Sequence, residues 1–292
     1  MFWQTTRFQI DLTRPRVMAI VNLTPDSFSD GGRHGNVLQA IQHAEKLLAQ
    51  GADILDVGAE STRPGAQPVP EAEELARLMP FLREAVRWQV PISVDTYKAS
   101  IMRAVLDLGV DIVNDVWALR QPGAEKAVLA HPSCGVCLMH MHREPQSMQL
   151  TPMSGDVLKS IKDFLQTRIQ VLVEQGMSSD RILLDPGVGF GKTVEQNLSL
   201  LVRPDQWQVP GFPVLAGWSR KSTLGSILAR NGAVPDPGDR VQASVAAALL
   251  SVERGAHVVR VHDVQPTVEA LKVWLSVRDL ARRESNEAPP SA

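Results

Sequence analysis

The sequence has almost no cysteine. Its two cysteines, Cys134 and Cys137, stand in a C-x-x-C spacing with His140 and His142 close behind. That spacing raises a redox pair or a zinc site. A thioredoxin-type pair opens a helix, whose N-terminus lowers the thiol pKa. Here the pair leads into GVCLMH, an apolar run that reads as a strand. Strand alternation also sends Cys137 to the face opposite Leu138 and His140. Both cysteines are expected to be free thiols of a reduced core.

Excess charge is missing too. With 30 basic and 32 acidic residues the formal net charge is −2, which argues against a nucleic-acid partner or a membrane-surface protein but leaves room for a local anion pocket. Long apolar runs are also absent. The N-terminal MFWQTTRFQIDLTRPR lacks the apolar core of a signal peptide, and the most apolar later stretch, around 245–250, is too short to cross a bilayer. A cytoplasmic location is expected. No Pro-, Gly- or Ser-rich linker divides the chain, so residues 1–283 read as one domain, with a polar, disordered tail at 284–292.

What is present is a crude repeat. Amphipathic stretches end in glycine and a β-branched run follows, as in QGADILDV (50–57), LGVDIVNDV (108–116) and RGAHVVRVHDV (254–264). Glycine ends a helix cheaply, and β-branched residues suit a strand buried on both faces. This pattern predicts strands at 17–22, 53–58, 91–95, 111–116, 135–140, 181–185, 213–217 and 257–262. Helical patterns lie between them, among them 36–49, 71–88, 98–108, 156–175 and 237–254. Eight strand–helix units in an α/β chain of this length predict a (β/α)₈ TIM barrel. A doubly wound sheet shares the local grammar, and the count of eight favours the barrel.

Most of these strands end in polar residues: Asn22; Glu60, Thr62 and Arg63; Asp95; Asn114 and Asp115; His140; Asp185; Lys221; Arg260 and His262. In a barrel such residues converge on the C-terminal rim, where barrel active sites lie. Asn22 sits where its carboxamide oxygen could ligate Mg²⁺ beside a phosphate. Arg63 offers a planar fork for phosphate oxygens, inside a loop, ESTRPGAQP (60–68), that Pro64 and Gly65 keep movable. Asp95, Asn114 and Asp185 suit a flat ligand rich in N–H donors, and a pterin presents such an edge. Asp115 neighbours Asn114 on the strand and should face away from it, in a structural role.

DPGVGFGKT invites comparison with a phosphate loop, but Pro186 stands where G-x-x-x-x-G-K-[ST] needs glycine, and no dinucleotide fingerprint is present. It reads as a tight glycine-rich turn that offers Phe190 to a ligand ring. In LAGWSRKSTLG a strand gives way to Ser222 near a helix N-terminus, a place suited to a carboxylate, with Lys221 able to donate to a ligand carbonyl or ring nitrogen. Arg260 and His262, two residues apart in RVHDV, share a strand face and with Arg63 form a compact cationic group suited to a diphosphate.

Taken in order, NLTPDSFSDGG (22–32), ESTRPGA (60–66), DPGVGFGK (185–192) and SRKS (219–222) resemble the dihydropteroate synthase family of pterin-binding barrels, over about residues 12 to 275. The resemblance implies condensation of 6-hydroxymethyl-7,8-dihydropterin diphosphate with p-aminobenzoate to give 7,8-dihydropteroate and diphosphate, with Mg²⁺ as cofactor, a homodimer, and sulfonamides as p-aminobenzoate mimics. It places the pterin on Asp95, Asn114, Asp185 and Lys221. Diphosphate and metal fall to Asn22, Arg63, Arg260 and His262, and the p-aminobenzoate side to Thr62, Pro64, Phe190 and Ser222. Catalytic roles fall on Asp95, Asp185, Lys221, Arg260 and His262. The family's dissociative chemistry agrees with a chain in which no side chain reads as an activated nucleophile. A methyltetrahydrofolate-dependent methyltransferase of the same barrel family, or a silent pterin-binding paralogue, is the alternative. One departure stands out: His142-Arg143 occupies the place where the family usually has Gln-Gly.

Overall fold

The computed structural model describes residues 1–24, 32–61, 65–144, 147–148 and 150–287. It opens with an antiparallel hairpin, β1 (Phe2–Gln4) and β2 (Gln9–Asp11). The β-branched runs then become parallel strands: β3 (Arg16–Asn22), β4 (Ile54–Gly58), β5 (Ile92–Asp95), β6 (Ile112–Asp115), β7 (Gly135–Met139), β8 (Ile182–Asp185), β9 (Leu215–Ala216) and β10 (Val258–Val261). They pair in the order β8-β7-β6-β5-β4-β3-β10-β9. A parallel bridge between Leu184 and Val214 joins β8 to the chain just before β9 and closes the ring. Every expected strand lies within a residue or two of its place, and the fold is the expected α/β barrel.

Helices follow the barrel strands in sequence: α1 (Gly32–Ala49), α2 (Glu71–Ala85), α3 (Ala99–Leu108), α4 (Ala124–Leu129), α5 (Val157–Glu174), α6 (Val194–Val202), α7 (Ser222–Leu228), α8 (Val241–Glu253) and α9 (Val264–Glu287). Helix α3 ends as its sequence predicts: Gly109 adopts φ 105°, and its N–H closes the last turn on Leu106. The helical pattern at 237–254 divides into a 3₁₀ turn, Pro237–Arg240, followed by α8. Helix α9 runs to Glu287, four residues beyond the boundary at 283 drawn from composition.

Alternation along the strands sorts the core. Met18, Ile54, Ile112, Cys137, Leu183, Leu215 and Val258 form one apolar cluster with residues of the N-terminal hairpin, inside the barrel. Their strand neighbours pack outward against the helices in two larger clusters. Both cysteines are free and buried, and burial raises both thiol pKa values.

The hairpin was not expected. It covers the N-terminal end of the barrel, where Trp3 is fully buried and its Nε1 donates to the Arg181 carbonyl at 2.9 Å. Arg7 pairs with the buried Asp111 at 2.6 Å, and Asp111 in turn accepts from the Ile92 amide at 2.8 Å. Truncating a buried Trp to Ala typically costs about 3–5 kcal/mol. The hairpin therefore fastens the closed end and leaves the C-terminal rim open for chemistry.

Candidate active site

Register places four expected or adjacent positions in one row on neighbouring strands. Asn22 pairs with Gly58, Gly58 with Asp95, and Asp95 with Asn114. Gly58 contributes no side chain to this row. Gly217, in phase with the inward Leu215, contributes none either, and a Cβ there would have only Leu215 within 4 Å. Neither puts a side chain between the polar groups.

One layer below the row lies Asp56, a mid-strand residue outside the pattern of polar strand ends. It is fully buried and accepts three hydrogen bonds: from Ser93 Oγ at 2.6 Å, Arg260 Nε at 2.6 Å and Asn114 Nδ2 at 3.1 Å. Arg260 also donates from Nη2 to Asp95 at 2.8 Å. The guanidinium therefore links the floor carboxylate Asp56 to the rim carboxylate Asp95, and both hold its pKa above the ordinary value against the opposing effect of burial. Burial pushes Asp95 up to about 7, Asp56 and other carboxylates add to the rise, and Arg260 opposes it. Arg260 was expected as part of a cationic group facing diphosphate. The structure places it in an ion pair within the floor, with about a fifth of its side chain exposed.

Asp185 ends β8 and is buried. Its Oδ1 accepts from the Gly187 amide at 2.7 Å, and burial raises its pKa while Gly187, Lys221, Lys192 and Arg260 oppose the rise. The turn that follows is as tight as expected. Gly187 has φ 69°, and a Cβ there would overlap the His140 carbonyl oxygen, so only glycine fits. Buried Lys192 holds this turn from beneath. Its Nζ donates to Gly187 O at 2.8 Å and Phe190 O at 3.3 Å, and lies 3.1 Å from His140 Nδ1. Burial lowers the Lys192 pKa to about 7, with Asp185 resisting and Lys221 assisting.

The turn carries Phe190 beneath Lys221, whose Nζ lies 4.2 Å from the ring centroid in cation–π range. Phe190 packs with Val116, Met139, Met141 and Met148 in an apolar cluster near the rim. Lys221 is the N-cap of α7, and Ser222, its first residue, is exposed. His262 follows β10; its Nδ1 lies 3.0 Å from Ser219 Oγ, which also accepts from the His262 amide at 3.1 Å. Burial lowers the His262 pKa to about 3, helped by Arg260, Arg220 and Lys221. It is thus neutral at pH 7 in the free protein, where the sequence suggested a cation.

Three more strand-end residues are engaged away from the rim group. Asp115 faces away from Asn114 as alternation requires, and accepts from the Trp117 and Leu119 amides at 2.8 and 2.7 Å. His140 does not join the rim group. It packs edge-on against Phe164 of α5, with ring centroids 5.1 Å apart, because it stands three residues from the inward Cys137 and so points outward. Glu60 serves its own loop, pairing with Lys98 and accepting from the Val69 amide at 2.9 Å. Thr62, Arg63 and Pro64, with most of the 24–35 loop, lie outside the described residues. Arg143, standing where the family's glycine is usual, has φ 62°, the left-handed region that favours glycine.

Comparison with known proteins agrees with this geometry. The model of the pterin binding enzyme family matches residues 18–262. The dihydropteroate synthase of Neisseria meningitidis serogroup B is 49% identical over 277 residues, covering 93% of this chain and 96% of that protein. A crystal structure of Burkholderia cenocepacia dihydropteroate synthase complexed with 7,8-dihydropteroate superposes with a TM-score of 0.87 at 48% identity, covering 97% and 98% of the two chains. The Yersinia pestis dihydropteroate synthase in a sulfonamide drug complex gives a TM-score of 0.88 at 42% identity, covering 96% and 100%. With acceptors, cations and an aromatic ring gathered on one barrel rim, and relatives this similar along nearly the whole chain, the protein belongs to the dihydropteroate synthase family of pterin-binding enzymes.

Proposed function

We propose that this chain joins 6-hydroxymethyl-7,8-dihydropterin diphosphate to p-aminobenzoate, releasing 7,8-dihydropteroate and diphosphate. The observation that carries the reading is the rim geometry in a chain of this family: Asp95 and Asn114 side by side, with Asp185 and Lys221 completing a polar ring around a floor cleared by glycine. In this reading the carboxylates and the Asn114 carboxamide hold the pterin's N–H edge. Lys221 donates to its carbonyl or ring nitrogen, and Phe190 flanks the rings.

The C–O bond to diphosphate breaks first, with the electron pair leaving on diphosphate. The amine nitrogen of p-aminobenzoate then bonds to the methylene carbon and loses a proton. Donors fixed near the leaving oxygen favour that charge most when it is fully developed. His262 suits this work when neutral: a Ser219 hydroxyl donating to Nδ1 leaves Nε2–H as donor. Arg260 adds its field from the floor, while Thr62, Arg63, Pro64 and Ser222 are assigned to diphosphate and p-aminobenzoate by family likeness. Sulfonamides would compete for the p-aminobenzoate place.

Mg²⁺ fits this site as a partner of the substrate. Asn22 supplies a hard oxygen donor in the rim row, and among the described residues no group of three or more His, Cys, Asp or Glu forms a cage of its own. The ion would be held by Asn22 and by phosphate oxygens, as magnesium commonly is, and when bound it would neutralise leaving-group charge. Among the described residues no helix is long and apolar enough to cross a membrane, which supports a cytoplasmic location. Exposed Val273, Val277 and Leu280 on α9, with Leu250 on α8, form apolar surface suited to a second copy, and light scattering would read a dimer.

The deciding experiment measures diphosphate release from the pterin substrate with and without p-aminobenzoate and Mg²⁺. Release with formation of dihydropteroate is expected. No release, or methyl transfer from methyltetrahydrofolate in its place, would overturn the assignment.

A further inference from the structure

Asn114 can face its pocket in two ways. Its carboxamide oxygen and nitrogen have nearly the same shape, so the partner beneath must choose between them. That partner is Asp56, fully buried one layer below the rim. Asp56 already accepts from Ser93 Oγ at 2.6 Å through Oδ1, and from Arg260 Nε at 2.6 Å through Oδ2. A carboxylate so engaged has only acceptor capacity left, and Asn114 Nδ2 fills it at 3.1 Å. Turning the amide over would set oxygen against oxygen in a buried site, where an unsatisfied or repelled polar atom is costly.

We propose that Asp56 is a specificity-determining positioning residue: it locks the Asn114 carboxamide so that only acceptors meet the ligand edge. With one Nδ2–H bound to Asp56 below, the amide is oriented so that Oδ1 is turned toward the ligand side. Beside it in the same row is the Asp95 carboxyl, and Asp185 stands at the end of β8. An edge built this way selects a heterocycle presenting an exocyclic amine and ring N–H groups. It rejects the same ring carrying a carbonyl at that place, because two oxygens would then meet. The selection comes from a residue that never touches the ligand. This proposal rests on the pterin reading above and adds to it the origin of the preference for the 2-amino ring.

The test compares binding of 6-hydroxymethylpterin with that of its 2-oxo counterpart, 6-hydroxymethyllumazine, by calorimetry on the full-length protein and on Asp56→Asn. An asparagine at 56 can donate to Asn114 Oδ1 and so permits the flipped amide. The wild type should prefer the 2-amino ring strongly, and Asp56→Asn should lose about tenfold or more of that preference. A folded variant that keeps the wild-type preference overturns the proposal, even if both ligands bind more weakly. A wild type with no preference for the 2-amino ring overturns the pterin reading itself, which separates the two failures. If Asp56→Asn does not fold, the Asn114 side-chain NH₂ protons in the wild type decide. Proton resonances that remain slow to exchange and hardly shift when pterin binds support the lock; a large shift, showing that the NH₂ meets the ligand, overturns it.

Discussion

Arg260 and Asp56 meet across the barrel floor at 2.6 Å, although 204 residues separate them in the chain. The contact sets one guanidinium among the carboxylates that the strands bring to the centre of the barrel. One guanidinium neutralises part of the charge that Asp56 and Asp95 bring, so replacing it disturbs the floor as well as any leaving group above it.

Arg260→Met should therefore lose stability as well as turnover. Breaking a buried ion pair by removing one partner costs about 3 kcal/mol, read by urea unfolding at pH 7. Adding Asp56→Asn to Arg260→Met should recover part of that loss, since one orphaned charge disappears. A double variant no more stable than the single one would mean that the two residues are not coupled.

Asp185→Asn should keep the fold and weaken pterin binding about tenfold or more, the effect of losing a charged acceptor worth about 1.5–3 kcal/mol. Calorimetry with the bare pterin measures it. Unchanged affinity would remove Asp185 from the pterin site.

Lys192→Met probes the lysine under the glycine turn. The Lys192 pKa falls to about 7 in the folded state, below the value of about 10.4 expected in the unfolded chain. Between those values the unfolded state binds the extra proton, so this lysine adds stability as pH rises and loses it as pH falls toward 7. The stability of the wild type relative to Lys192→Met should thus increase from pH 7 to pH 10. Parallel pH profiles for the two proteins would show that Lys192 titrates normally.

Gly187→Ala and Gly176→Ala separate steric clash from backbone strain. Both glycines have positive φ, 69° and 94°. A Cβ at Gly176 meets nothing within 4 Å, whereas one at Gly187 runs into the His140 carbonyl. Gly176→Ala should cost about 1 kcal/mol, and Gly187→Ala clearly more, with weaker pterin binding because Asp185 and Phe190 flank the turn. Equal melting temperatures for the two variants would contradict the crowding at Gly187.

The barrel was legible because its signal is local: a glycine stop and a β-branched run, repeated. The strand-end residues were legible for the same reason. Asp56 was not, because attention to strand ends misses a charge in mid-strand; yet in ILDVG (54–58) the period of two already puts Asp56 in phase with Ile54, and a carboxylate in such a run needs a buried partner. Which partner is a matter of barrel closure, since Arg260 arrives from the last strand. His140 shows the converse: its parity with Cys137 was readable, but its position at a strand end suggested the rim. The hairpin lacks a local signature altogether. Its strands are three residues long, and Trp3 is held by Arg181, far along the chain.

The pairing of β10 with β3 has a consequence for the order in which the molecule is made. Synthesis produces Asp56 and Asp95 long before Arg260, and until the last strand docks, neither carboxylate has its guanidinium. Charged groups without partners hold on to water. A barrel lacking its last strand would therefore keep water at its centre, and the floor would dry only as β10 docks.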